Sequence, residues 1–248
     1  MSYNREASRD RVKDILSSKT EIVKKDRIPS SDDEFTYANG IKSWVGAIFI
    51  DLVGSSDLCK SADETTARIF RAFCSEVIAI LKDDTNYRQI GIRGDCVYSI
   101  NSTPHVSDLV DMFLTAAKVH TFMRMFRKLL EKRGYPTITA GIGLGCSEDL
   151  IVKAGQNGSG INDKIWIGKA VVDASHLGDK AYRNGISPIA MSTLFYDNIH
   201  ESLEERNENY KSWIKPYKSN QYGYYAKTEF YHCDIILSDF DKWIDENV

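Results

Sequence analysis

The sequence has no CxxC pair, no apolar stretch near the ~20 residues of a membrane span, and no apolar leader behind Met1. Each absence removes a class of protein. The five cysteines Cys59, Cys74, Cys96, Cys146 and Cys233 stand far apart. A zinc ribbon or a thioredoxin-type site is therefore not expected, whereas buried thiols in a reducing compartment are. With neither leader nor span, the expectation is a soluble cytoplasmic protein without membrane attachment. One-sided charge is also lacking: 32 Lys+Arg face 35 Asp+Glu, for a net charge of -3. No whole-chain field exists to capture nucleic acid, and none is expected as a partner. Only 5 Pro and 16 Gly are present, too few for a collagenous or linker-like chain. What is present is a core: 42% hydrophobic residues, with 13 Tyr, 10 Phe and 4 Trp among 248 residues. That excludes disorder as the main state and fits one large domain or two small ones.

Residues 1–42 read as a charged helical arm and 43–248 as the main domain. Glu6 to Arg27 carries both charges and a thin apolar set of Val12, Ile15, Leu16, Ile22 and Val23. This pattern predicts an exposed helix, either solvated or packed on its own domain or a partner. Trp44 to Ile50 is a nearly continuous apolar run, as expected of a strand buried on both faces. Gly54-Ser55-Ser56 follows, then a helix from near Asp57 with Ile69, Phe70, Phe73, Val77, Ile80 and Leu81 at helical spacing. Tyr87 to Ile100 alternates around Gly94-Asp95 and predicts a hairpin. A long helix runs from Pro104 to about Arg133, and Thr137 to Gly145 is a strand. Leu150 to Ala154 reads as a separate short strand, and Lys164 to Ile167 as the approach to a helix over Lys169 to Lys180. Ile186 to Met191 is a strand, Ser192 caps a short helix to about Ile199, Glu201 to Lys218 is irregular, and Tyr222 to Leu237 is terminal strand. The order is βαββαβ with a C-terminal αβ extension: an α+β fold with a ferredoxin-like core.

Two aspartates carry the chemistry. Asp51 ends a buried strand before a small-residue turn, and Asp95 sits on the hairpin. This topology makes their strands neighbours at the sheet centre. Two carboxylates side by side in an apolar sheet repel one another and need a cation. Mg²⁺ uses one or two carboxylates together with substrate phosphate oxygens. Val53, Gly54, Ser55 and Ser56 add backbone N–H groups at a helix start, a phosphate cradle. Taken singly, Asp51 also reads as a helix cap and Asp95 as a turn aspartate; together they point to a metal–nucleoside triphosphate site.

Four segments resemble the class III nucleotidyl cyclases, in family order. Phe49-Ile50-Asp51-Leu52-Val53-Gly54-Ser55-Ser56 is similar to the first metal motif, and Gly94-Asp95-Cys96 to the second. Thr139 to Gly145 resembles a glycine-rich strand of the family, and Trp166 to Leu177 the helix that follows it. The resemblance implies attack of a 3′-hydroxyl on the α-phosphate with release of pyrophosphate. It implies two Mn²⁺ or Mg²⁺ ions held by Asp51, Asp95 and the Leu52 carbonyl, and a homodimer with shared sites. It also shows departures. Val172 stands at the family's transition-state Asn position and His176 at its Arg position. His176, if not simply a surface histidine, is the candidate phosphate donor. Lys169 is the candidate for the missing positive charge, with Lys153 and Lys180 as the other choices. Gly91 and Ile165 occupy the positions where adenylate cyclases read the base. Arg93, if not a surface ion pair, is placed to read a pyrimidine base beside the space Gly91 leaves. This is similar to the pyrimidine cyclases of bacterial Pycsar anti-phage systems, implying cyclic UMP made from UTP and read by a separate effector protein. Cyclic CMP from CTP, or an inactive nucleotide-binding module, are the alternatives. A diguanylate-cyclase-like enzyme lacks its signature hairpin here, and a P-loop lacks its lysine frame. No separate sensor domain is expected within the 40 or so leading residues.

Overall fold

Alternate residues of the Trp44–Ile50 run face two different cores, which is why the run is apolar throughout. Ile48, Ile50 and Leu52 join one core, and Val45, Ala47 and Phe49 the other. The computed structural model describes residues 3–207, 209–218 and 228–248. The chain runs α1 (Arg5–Ser17), β1 (Glu21–Lys24), β2 (Asn39–Val53), α2 (Ser55–Leu58), α3 (Glu64–Asp83), β3 (Tyr87–Arg93) and β4 (Cys96–Ser102). It continues through α4 (Val106–Glu131), β5 (Thr139–Gly155), β6 (Asn162–Ile167), α5 (Lys169–Lys180) and β7 (Ile189–Ser192). Then follow α6 (Thr193–Arg206), α7 (Tyr210–Trp213), β8 (Ile214–Lys218), β9 (Thr228–Cys233) and α8 (Ser238–Asn247).

The strands form one sheet in the order β3-β4-β2-β5-β7-β9-β8, with β1 parallel to β2 and β6 antiparallel to β5. Within it, β5-β2-β4-β3 is the ferredoxin-like arrangement expected from the βαββαβ order. The larger core lies between the sheet and α3, α4 and α6, through Phe73, Phe113, Phe126 and Phe195. The second lies between the sheet and α5, and Ile28 and Phe35 of the N-terminal segment close it. The expected α4 stripe is buried throughout, from Leu109 through His120 to Leu130. Among the described residues no helix is long and apolar enough to cross a membrane.

Several sequence expectations need correction. Within Glu6 to Arg27 the helix ends at Ser17; Ile22 and Val23 lie on β1, paired to β2. The expected boundary after Lys42 falls inside β2, and the buried Ile28 and Phe35 tie the segment before it to the domain. The helix expected from Asp57 is instead a single turn, α2, and then α3, which Asp63 caps by accepting from the Thr66 N–H at 2.8 Å. The two strands expected over 137–154 are one, β5, and Lys164–Ile167 belongs to β6. The short helix after Ser192 extends to Arg206, β8 emerges from the segment read as irregular, and α8 follows the last strand. Of the expected terminal strand, 222–227 lies outside the described residues. The thiols are not uniformly buried: Cys59 is exposed and Cys74 and Cys96 are half-buried.

Nothing in the core holds β1; all four of its residues are exposed. Its second tie besides strand pairing is Glu148, which bonds Lys24 at 2.6 Å and Lys42 at 2.8 Å. Those two ammonium groups hold the Glu148 carboxyl down at about 2. A carboxylate lowered in the folded state stabilises above its unfolded pKa and loses that contribution as pH falls through the folded one. Amide protection of β1, corrected for intrinsic exchange, should therefore fall between the ordinary glutamate range and pH about 2. Glu148→Gln should show the same loss at neutral pH. Equal protection at both ends of that window in the wild type would mean that strand pairing alone holds β1.

Candidate active site

Asp51 comes from the last turn of the pleat in β2, on the face that packs against α5. Antiparallel pairing sets Asp51 opposite Cys96, one residue beyond Asp95. Asp95 itself is delivered by the turn at Gly94, whose φ of +62° suits glycine. Strands β2 and β4 are thus neighbours, and Asp95 lies near enough for its charge to act on Asp51. Burial pushes the Asp51 carboxyl up, Arg183 pulls it down, and the charge of Asp95 pushes it up again. Burial chiefly, with the Asp51 charge next, also drives the Cys96 thiol up to about 12. Cys96 is therefore protonated and inert at neutral pH.

Arg183 is the residue that sequence reasoning missed. Its Nη2 donates to Asp51 Oδ2 at 2.7 Å and to the Leu52 carbonyl at 3.2 Å. Its Nη1 donates to the Gly178 and Ala181 carbonyls, each at 3.3 Å. One guanidinium thus spans a carboxylate and a carbonyl named as metal ligands. Both are oxygen donors aimed at one cation, and Asp95 adds negative charge beside them. This donor set fits a hard divalent ion such as Mg²⁺ or Mn²⁺. Among the described residues no three His, Cys, Asp or Glu side chains gather to hold a metal, so such an ion would complete its shell with substrate oxygens or water. A local signal for Arg183 did exist: it sits in a Tyr-Arg-Asn-Gly turn. Among the described residues the two non-glycine positions with positive φ are its neighbours Tyr182 (62°) and Asn184 (52°).

Val53 ends β2, and Gly54, at φ +77°, turns the chain into α2. The Asp57 N–H donates to the Gly54 carbonyl at 3.0 Å. A one-turn helix has little macrodipole. Anion binding at Val53–Ser56 would therefore rest on backbone N–H groups and the Ser55 and Ser56 hydroxyls, not on the long helix that was expected.

α5 is docked by its start. Ser147 Oγ accepts from the Lys169 N–H at 3.0 Å and the Ala170 N–H at 2.7 Å, and donates to the buried Asp149. Ala170, Ala174 and Leu177 then face the sheet, which turns Lys169, Val172 and His176 outward. Burial raises the Asp173 carboxyl, and Lys169 and His176 oppose that rise. The charges of the two candidate catalytic side chains thus bear on Asp173, whereas Arg183 pairs with Asp51.

The base-reading region departs from expectation. A Cβ on Gly91 would lie 2.6 Å from Tyr98 Cζ and Oη. The space beside Gly91 is filled by the chain's own tyrosine, its cross-strand partner. Tyr98 stacks on Phe49 at 5.1 Å and accepts from Gln89 Nε2 at 3.3 Å. Gln89 also accepts from Trp166 Nε1 at 2.8 Å. Arg93 is exposed at the edge of this cluster, and its charge opposes the upward push of burial on the Tyr98 hydroxyl. Tyr98 was within reach of sequence reasoning, because a two-residue turn at Gly94-Asp95 pairs Gly91 with Tyr98.

No protein-family model matches the chain. It is 37% identical to "Uridylate cyclase" of Treponema porcinum, over all of this chain (100%) and 83% of that one. It is 30% identical to "Uridylate cyclase" of Gulbenkiania mobilis, over 99% of this chain and 97% of that one. Among solved structures it is similar to the adenylyl cyclase CyaB from P. aeruginosa, with a TM-score of 0.62 over 81% of this chain and 98% of the other. At 17% identity, that last likeness speaks for the fold alone.

Proposed function

The chain belongs to the uridylate cyclase family, and from that premise we propose that it converts UTP to 3′,5′-cyclic UMP and pyrophosphate. The observation that carries this reading is the aligned pair of donors at Asp51 and Leu52, engaged by one guanidinium beside Asp95. The 3′-oxygen attacks the α-phosphorus, the bond to the bridging oxygen of the β-phosphate breaks, and the hydroxyl proton leaves to solvent. Two Mg²⁺ or Mn²⁺ ions, when bound, lower the pKa of that hydroxyl and neutralise the triphosphate. Asp51, Asp95 and the Leu52 carbonyl would hold them. Val53, Gly54, Ser55 and Ser56 receive the phosphates, and Arg93, exposed at the edge of the Tyr98 cluster, donates to one uracil carbonyl.

Lys169 and His176 are exposed on α5 with Val172 between them, and Ile165 and Ile167 of β6 are exposed as well. This supports a homodimer in which these two side chains serve a site shared with the second copy. The five free thiols and a nucleoside triphosphate substrate both suit the cytoplasm. The product is a second messenger for a separate effector in anti-phage defence, as the likeness to the pyrimidine cyclases implies.

The test is incubation with each of the four NTPs and Mn²⁺, with identification of the product. Cyclic UMP from UTP alone is expected. Cyclic CMP would move the assignment to CTP. Cyclic AMP or cyclic GMP alone would refute the pyrimidine reading. Binding without turnover would leave a nucleotide-binding module, which the Val172 and His176 departures would then explain.

A further inference from the structure

A divalent ion and Arg183 compete for the same atoms. Magnesium sits ~2.0–2.1 Å from its oxygen ligands, whereas Arg183 Nη2 already lies 2.7 Å from Asp51 Oδ2 and 3.2 Å from the Leu52 carbonyl. An ion on those two oxygens would crowd and repel the guanidinium. The arginine's other bonds, to the Gly178 and Ala181 carbonyls, are long at 3.3 Å. Its backbone, by contrast, is pinned. The Tyr182 N–H donates to the Ser187 carbonyl at 3.2 Å and the Ile186 N–H to the Arg183 carbonyl at 2.9 Å. The Ser187 N–H in turn donates to His232 Nδ1 at 3.0 Å. The side chain is thus free to move from a fixed root. A triphosphate brought to Asp51 places anionic oxygens within the sweep of a planar donor suited to phosphate.

We propose that Arg183 is a substrate-binding residue that holds Asp51 and the Leu52 carbonyl while no divalent ion is bound, and turns to a nonbridging oxygen of the nucleotide triphosphate when the ion takes those donors. This rests on the cyclase reading and adds a phosphate ligand to it. The exchange explains why a cation is built against the metal carboxylate. It orients Asp51, and the freed charge is then used on the substrate.

The test uses the whole protein, with Arg183→Ala and two binding measurements that need no turnover. Mn²⁺ affinity without nucleotide, read from the electron paramagnetic resonance of the free ion, should rise about 3- to 10-fold because the competitor is gone. Affinity for 3′-deoxy-UTP at saturating Mn²⁺ should fall about 10-fold or more, the loss of a charge-assisted hydrogen bond. Unchanged or weaker Mn²⁺ binding would overturn the proposal and leave Arg183 a clamp that positions Asp51. Tighter Mn²⁺ binding with unaltered 3′-deoxy-UTP affinity would overturn it too, since the arginine would never reach the triphosphate. Arg183→Gln, which keeps donors without the charge, carries the same pair of measurements should the alanine variant fold poorly. Failure of the cyclase reading is distinct: the wild-type protein would then not bind 3′-deoxy-UTP, while the Mn²⁺ measurement would still judge the arginine.

Discussion

Asp51→Ala and Asp95→Ala are each expected to lower kcat by about 10³-fold, the effect of removing a group that fixes transition-state charge. The two positions are not interchangeable in origin. Asp51 is held by β2 and faces Arg183, with 21% of its side chain exposed. Asp95 is held by the turn between β3 and β4. In the proposed mechanism both would hold divalent ions in ionised form, and a bound cation would relieve their mutual repulsion. Neither substitution should unfold the protein. Burial and Asp95 already push the Asp51 carboxyl toward its neutral form, and Arg183 keeps access to water and the carbonyls of Gly178 and Ala181. Melting temperatures within a few degrees of wild type, with pyrophosphate release nearly abolished, are the expected pair of results. Activity within tenfold of wild type for either variant would remove the carboxylate pair from the mechanism.

Gly143→Ala is expected to cost about 3 kcal/mol, at the upper end of ordinary overpacking. Here α5 lies directly on β5, and a Cβ at Gly143 would meet the Ala174 carbonyl oxygen at 2.0 Å and the Gly178 nitrogen at 2.2 Å. Both are backbone atoms, so no rotamer change relieves the contact. The helix must lift, opening the packing of Ala170, Ala174 and Leu177 against the sheet. For a chain of this length, a melting temperature lower by roughly 6–12 °C follows. Lys169, His176 and the root of Arg183 would shift with the helix, so activity should fall further than stability alone explains at a temperature where the variant is folded. An unchanged melting temperature would show that α5 is not seated as described.

Features that depend on neighbours in the chain were readable without a structure. Strand β2 follows from an apolar run whose two faces meet two cores. The β3–β4 turn follows from Gly94-Asp95, and α4 from its apolar stripe at helical spacing. The nearness of Asp51 to the β3–β4 turn follows from the order of elements, because a βαββαβ chain places β4 beside β2. Tertiary structure alone decided the rest. Continuous β5 carries Ser147 and Asp149 through its middle, a polar interruption that reads as a strand break. It persists because the N–H groups of Lys169 and Ala170 satisfy Ser147. Strand β1 has no buried residue to announce it, and its pairing to β2 is held by main-chain bonds and by Glu148. Arg183 reaches Asp51 across 132 residues of sequence. Neither spacing nor periodicity encodes that contact: a pinned turn after α5 brings the Arg183 guanidinium to the Asp51 carboxylate.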